Sequence, residues 1–371
     1  MFAARRDRLL QQLCDENLDA VLVTHPINVS YLTGFSGDAS CLLASRTKMM
    51  VISDGRFTTQ LTEECPDLEA HIRPPTQPLG AAVAEVITKL GHHAVGCESA
   101  HLTLAEFQTL CELTKHVEWK PHADRVERLR MVKDVGEIEQ IRQAIRYAEQ
   151  AFAMFRALLR PDDSEKDLAD AMEHCVRRAG GNETAFKTIV AVGARAALPH
   201  APPSAHRVRE APLLLVDWGA QGPFYKSDLT RVLLTHNNST PPGCAEPSSK
   251  IREVYDVVLR AQQAAIATLR PGIKAMDVDA AARNVIAGAG YGEYFTHSIG
   301  HGIGMMIHEA PIMRANTEMV LQAGMVVTVE PGIYLPGAFG VRIEDDVLVT
   351  PDGCEVLTSL PKDIDAAVQI S

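Results

Sequence analysis

The sequence predicts an α+β protein: a small α/β domain followed by a larger α+β domain. Three observations carry that reading. The first 124 residues alternate helical and strand patterns. From Arg125 onward, long amphipathic runs flank strand pairs that read as antiparallel hairpins. Several of those strands carry carboxylates where apolar side chains belong. With 371 residues, 46% of them apolar, the chain can fill a core in each of two domains, 1–124 and 125–371.

In order, residues 5–15 form a helix with Leu9, Leu10 and Leu13 on one face, and 19–24 a strand. NVSYLTGF (28–35) leads into a hairpin-like pair at 41–44 and 48–53. Helical patterns at 80–90 and 104–115 are each followed by a strand signal, at 93–97 and 117–120. From Arg125, RVERLRMVKDVGEIEQIRQAIRYAEQAFAMF reads as one long amphipathic run, which Pro161 stops. A helix opens at Ser164, with Glu165 and Asp167 in its first turn where negative charge suits the dipole. A strand at 188–192 and helices at 251–269 and 277–287 follow; 237–249, rich in Pro and Ser, reads as a surface insertion.

Asp217 and Asp228 lie in LLLVDWGAQGPFYKSDLTRVLL, each within an otherwise buried-strand pattern, with a turn signal at Gly219, Gly222 and Pro223. Burying an unpaired carboxylate costs several kcal/mol or keeps it protonated, and two on facing strands repel. A divalent cation between the strands resolves the conflict. Further donors are His301 in THSIGHGIGMMIHEAP, Glu330 ending the strand MVVTV, and Glu344 in FGVRIEDDVLVT. In the last run Val341, Ile343, Asp345 and Val347 alternate with Arg342, Glu344 and Asp346, as one strand hairpinned to Glu330 through a turn over 331–340. Four carboxylates carry −4 formally, which two divalent ions neutralise; one zinc would take fewer ligands and more nitrogen or sulfur. Two metals roughly 3.5–4 Å apart are a hydrolytic arrangement. His297 and His301 stand four apart, but Gly300, Gly302 and Gly304 oppose a helix and Ser298 occupies the place of a zincin glutamate. The glycines are expected to let the backbone approach a ligand closely.

These five residues, each within its own motif, resemble the pita-bread metallopeptidases, and the chain resembles the branch of Xaa-Pro aminopeptidases and prolidases. The resemblance implies a pita-bread catalytic domain over 125–371 and a creatinase/prolidase-like N-terminal domain over 1–124, where NVSYLTGF and DGRF carry the likeness. It implies that Asp217, Asp228, His301, Glu330 and Glu344 are the metal ligands. By the same resemblance His308 donates to the substrate carbonyl or its tetrahedral intermediate, and His200, in ALPHAPP, lines the proline pocket. His297, Arg342 and Tyr334 fall on substrate-side positions; Arg342 has a second, structural reading, holding Glu344 or Asp346. The implied reaction is metal-activated peptide hydrolysis, with Glu330 taking up the water proton and His308 steadying the oxyanion. An X-Pro bond is a tertiary amide with a fixed ring and no N–H, which calls for a pocket of its own.

Removal of the N-terminal residue ahead of proline is the expected activity, with Xaa-Pro dipeptidase (prolidase) action as the alternative. An Arg342 free to grip a carboxylate favours the dipeptide; an occupied one leaves room for a longer chain. Manganese is expected in both metal positions, with cobalt or zinc as alternatives. Methionine aminopeptidases share the ligands but not the N-terminal domain, and creatinase lacks the metal set. Non-catalytic pita-bread peptide-binding modules would show decayed ligands. The resemblance also implies a homodimer. A net charge of −11 without a basic run argues against nucleic acid, leaving proline-containing peptides as partners. Eight scattered cysteines without a CxxC pair, no apolar leader and no spanning stretch point to a reduced, cytoplasmic protein with no membrane segment.

Overall fold

The computed structural model describes residues 2–235 and 248–367. Apart from Ser248 and Ser249, the stretch expected as a surface insertion lies outside the described residues. The chain divides into two compact units, Met1–Arg130 and Met131–Ser371.

The first unit runs α1 (Phe2–Asp15), β1 (Ala20–Val23), α2 (Pro26–Thr33), β2 (Cys41–Ser45), β3 (Met49–Asp54), α3 (Thr58–Glu64), β4 (Glu69–Arg73), α4 (Leu79–Leu90), β5 (Ala94–Glu98), α5 (Leu104–Leu113), β6 (Glu118–His122) and α6 (Arg125–Met131). Its six strands form one sheet in the order β4-β3-β2-β1-β5-β6. The β1–β2 and β2–β3 pairs are antiparallel and the outer pairs parallel. NVSYLTGF forms most of α2 and its end: Pro26 opens the helix and Gly34, at φ +82°, closes it. Asn28, Tyr31, Leu32 and Phe35 are buried, so the motif is packing.

The long run from Arg125 is two helices rather than one. α7 (Val135–Leu158) starts afresh at Asp134, whose carboxylate accepts from Glu137 N at 2.9 Å while Glu137 Oε2 accepts from Asp134 N at 3.0 Å. Its signature, D-x-x-E, lies inside the amphipathic pattern and interrupts it. α6 stays with the first unit, where Arg125 pairs with Glu16 at 2.7 Å and Tyr31 Oη donates to Leu129 O at 3.0 Å.

The second unit continues with α8 (Glu165–Arg178), β7 (Glu183–Thr184), β8 (Ile189–Val192), β9 (Leu213–Trp218), β10 (Ala220–Gln221), β11 (Leu229–Leu234), α9 (Ser249–Thr268), α10 (Ala275–Gly288), β12 (Gly300–Gly302), β13 (Glu309–Met313), β14 (Val326–Val329), β15 (Gly332–Leu335), β16 (Phe339–Arg342), β17 (Asp345–Thr350) and β18 (Gly353–Val356). Strands β11-β9-β8 make one antiparallel sheet and β13-β12-β14-β17-β18 another. One core packs α7 and α8 on the first sheet, with Phe152 stacked on Trp218 at 4.3 Å. A second packs α9 and α10 through Val254, Val258 and Ile286 against Val327 and Val347. No described helix is long and apolar enough to cross a membrane.

Two expectations about the last hairpin change. Residues 331–340 are not a turn: β15 and β16 pair across them, and the turn is confined to 336–338, where Gly337 takes φ +72°. The run from Phe339 is also two strands, because β16 pairs with β15 while β17 pairs with β14. The chain changes partners at Ile343 and Glu344, where Glu344 N donates to Thr230 O at 3.3 Å. The hairpin thus bends, and Glu344 sits in the bend.

Candidate metal centre

Each candidate ligand sits at a place where a strand begins, ends, breaks or bulges. Asp217 is near the end of β9, across the ladder from Thr230; Asp228 precedes β11. Glu330 follows β14, Glu344 lies between β16 and β17, and His301 is the middle residue of β12, at a register shift. Strand ends release side chains from the ladder's alternation and let several converge. Asp228, His301 and Glu344 each bring a ligand atom within 4.8 Å of the others. His301 Nε2 lies 3.4 Å from Glu330 Oε1 and 3.6 Å from Asp228 Oδ2.

The His301 ring is oriented for this. Gly302 O can only accept, so Nδ1, 3.1 Å away, donates to it and Nε2 turns its lone pair toward the carboxylates. Thr328 Oγ1 accepts from His301 N at 3.1 Å and donates to Glu330 Oε1 at 3.2 Å. Thr230 Oγ1 donates to Glu344 Oε2 at 2.6 Å. Both threonines stand two residues from a ligand on its own strand face, a period-2 signal that sequence reasoning passed over.

Two of the glycines around His301 are required by the protein's own packing. A Cβ on Gly300 would run into Thr328 O, and one on Gly302 into Ala310 O. They let neighbouring segments close on β12.

Burial drives the site's electrostatics. It pushes the Asp228 and Glu344 carboxyls far above the carboxylate range, with the other site carboxylates adding repulsion. Glu330 is pushed up to about 8 and Asp217 is raised too, both chiefly by burial. Burial also takes His301 down to about 4. The buried Arg342 guanidinium offsets part of the carboxyl rise at Asp217, Glu330 and Glu344, but not at Asp228. Asp217 Oδ1 is buried with no hydrogen-bond partner. An orphan oxygen, mutually repelling acids and a neutral imidazole lone pair fit divalent cations: Asp217, Asp228, His301, Glu330 and Glu344 could hold them.

Arg342 is occupied, but not by Glu344 or Asp346. Its Nη2 donates to Asp217 Oδ2 at 2.6 Å, Nη1 to Tyr334 Oη at 2.8 Å and Pro199 O at 3.3 Å, and Nε to Thr230 Oγ1 at 3.0 Å. Asp346 instead accepts from Asp228 N at 3.1 Å. Tyr334 does not line the cleft; its hydroxyl links Arg342 to His297 Nε2, 2.8 Å away, and burial raises it to about 12. His297 Nδ1 donates to Ser298 O at 2.8 Å, so Nε2 accepts from Tyr334.

The four acids line a cleft of about 610 Å³, a size suited to a short peptide. His200, His297, His308 and Arg342 all line it. His200 and His308 are exposed, and the His308 ring sits edge-on to His301 with centroids 4.3 Å apart. Pro199, Pro202, Ile189, Ile307 and Ile312 supply an apolar wall.

Residues 139–351 match metallopeptidase family M24, and residues 5–132 match the creatinase/prolidase N-terminal domain. The chain belongs to metallopeptidase family M24. This M24 peptidase is 35% identical over 347 residues to the uncharacterized peptidase YqhT of Bacillus subtilis, covering 94% of the chain and 95% of that relative. Its structure is similar to an X-Pro aminopeptidase from Thermotoga maritima (TM-score 0.88, 35% identity, 97% and 99% of the two chains). It is also similar to an Xaa-Pro dipeptidase from Bacillus anthracis (TM-score 0.91, 34%, 98% and 99%) and the prolidase of Pyrococcus horikoshii (TM-score 0.85, 32%, 96% and 98%). The M24 peptidase thus has the pita-bread fold and falls in its Xaa-Pro branch.

Proposed function

We propose that this M24 peptidase removes the N-terminal residue from peptides with proline second, acting on chains longer than two residues. The observation that carries this over dipeptidase action is the engagement of Arg342. Four of the five guanidinium N–H groups already have acceptors, so no pair is left to grip a dipeptide's carboxylate in a fork. Asp217, Asp228, His301, Glu330 and Glu344 hold two divalent ions in this reading, with manganese suited to the oxygen-rich set. When bound, the ions supply Lewis acidity that polarises the scissile carbonyl and activates water.

The protein's own groups do the rest. Glu330, whose carboxyl burial already biases toward holding a proton, accepts one from the attacking water and passes it to the leaving proline nitrogen. His308 donates to the developing oxyanion. His200, beside Pro199 and Pro202 on the apolar wall, holds the proline ring, and the chain needs no N–H acceptor there. Arg342 fixes Asp217, with Tyr334 and His297 behind it.

The test compares Ala-Pro-Ala, Ala-Pro and Met-Ala on manganese-loaded enzyme. Cleavage of Ala-Pro-Ala with kcat/KM at or above that of Ala-Pro supports aminopeptidase action. Rapid cleavage of Ala-Pro alone makes the enzyme a prolidase, and cleavage of Met-Ala alone removes the proline requirement.

A further inference from the structure

The cleft has a second cation that the reaction does not use. Lys187 lines it just ahead of β8, two residues from Ile189, which pairs with Asp217 across the β8–β9 ladder. Lys187 and Arg342 are the lysine and arginine side chains of the lining. They differ in every physical respect. Arg342 is buried and holds four hydrogen bonds; Lys187 is exposed, flanked by Phe186, Thr188 and Ile189, and has no ion-pair or hydrogen-bond partner among the described residues. The cleft that holds the acids therefore also presents an exposed ammonium, beside Phe186 and Ile189.

Distance gives that ammonium a meaning. Two residues of chain span at most about 7 Å, so the Lys187 backbone lies no farther from the Asp217 rung than two extended peptide residues reach. A peptide cut at its first bond, with that bond at the carboxylate cluster, carries its second and third residues over a span of the same order. We propose that Lys187 binds the free C-terminal carboxylate of an Xaa-Pro-Xaa tripeptide and so sets the enzyme's preference for short peptides. The inference rests on the aminopeptidase reading above and adds the length and terminal chemistry of the substrate. Lysine fits the task at a wet cleft mouth, where a flexible point charge meets carboxylates of varied position.

The test uses the manganese-loaded full chain with Ala-Pro-Ala and its C-terminal amide. Wild type is expected to prefer the free acid by about fivefold in kcat/KM, the upper scale of an exposed ion pair, mainly through KM, and less so at high salt. Lys187→Met should erase the acid-over-amide ratio and Lys187→Arg should retain it; metal content reports that both variants are intact. A ratio unchanged in Lys187→Met, or a wild-type ratio of one, overturns the inference while leaving the proline reading standing. Failure to cleave either peptide overturns that reading and this inference with it.

Discussion

Both units bury carboxylates in strands, and the two cases end differently. In the first unit Glu98, 4% exposed at the end of β5, is enclosed by donors. Its Oε2 accepts from Thr24 N at 2.6 Å and His25 N at 2.7 Å, and Oε1 from Asn28 Nδ2 at 2.6 Å. Burial still raises its carboxyl, but the next influences are those donors, which lower it. In the second unit Asp228 is buried to the same degree, yet every influence after burial is another carboxylate. Glu98 finds its donors within its own protein; Asp228 faces other acids, which is why cations are proposed for it and its neighbours. Burial alone therefore does not mark a functional acid. The chemistry of what faces it does.

Removing the cations puts this contrast under the greatest strain. Chelation, or Asp228→Ala, should take hydrolysis below detection, and manganese should restore the chelated wild type only. Turnover in rigorously metal-free protein would mean that the second set of acids needs no cation either. The metal-free protein should also show a stability signature. Raised carboxyl pKa values mean that the folded state holds protons the unfolded state has released, so stability present at low pH is lost as pH climbs. The loss should run from about 4.5, where unfolded carboxylates ionise, to about 8, where Glu330 does. Calorimetry should show Tm falling across that window without metal and flattening with it; a rising Tm would mean the acids are satisfied internally.

Next in size, His308→Ala should lower kcat by about 10², the scale of a lost oxyanion donor, with metal occupancy unchanged by elemental analysis. Loss of metal at normal turnover per ion would exchange the roles given to His301 and His308. On the structural side, Glu98→Ala leaves buried donors unpaired and should cost about 2–3 kcal/mol in chemical denaturation with metal content intact. Should it instead release metal, the two carboxylate groups are not independent. The smallest effect belongs to Tyr334→Phe, which removes one link between Arg342 and His297: about a fivefold drop in kcat/KM, near the worth of one buried hydrogen bond. A loss of 10³ would place Tyr334 in the chemistry.

Much of this architecture is legible in the amino-acid sequence. Helices α1, α4, α5, α9 and α10 show themselves by pattern, and α8 also by its first turn, because an amphipathic face is written locally. Asp217 and Asp228 stand out because a buried strand tolerates no charge without a reason, and the fold brings them into one cleft with His301, Glu330 and Glu344. The break at Asp134 is legible too, in its capping box, but a strong amphipathic pattern on both sides hides it.

The order of residues is enough to say which side chains are costly to bury and which faces they share, since both follow from chain chemistry and a period of 2 or 3.6. What those side chains meet is settled by contacts across the fold. Glu344 lies in a bend because β16 and β17 choose different partners, and no local pattern records a change of neighbour. Arg342 selects Asp217 over Asp346, a residue four positions away, because Asp217 is delivered from 125 residues upstream while the strand turns Asp346 toward Asp228. Gly300 and Gly302 have to be small for the backbone crossing them. Ion-pair choice and close packing depend on through-space distance, which the order of residues along the chain does not contain.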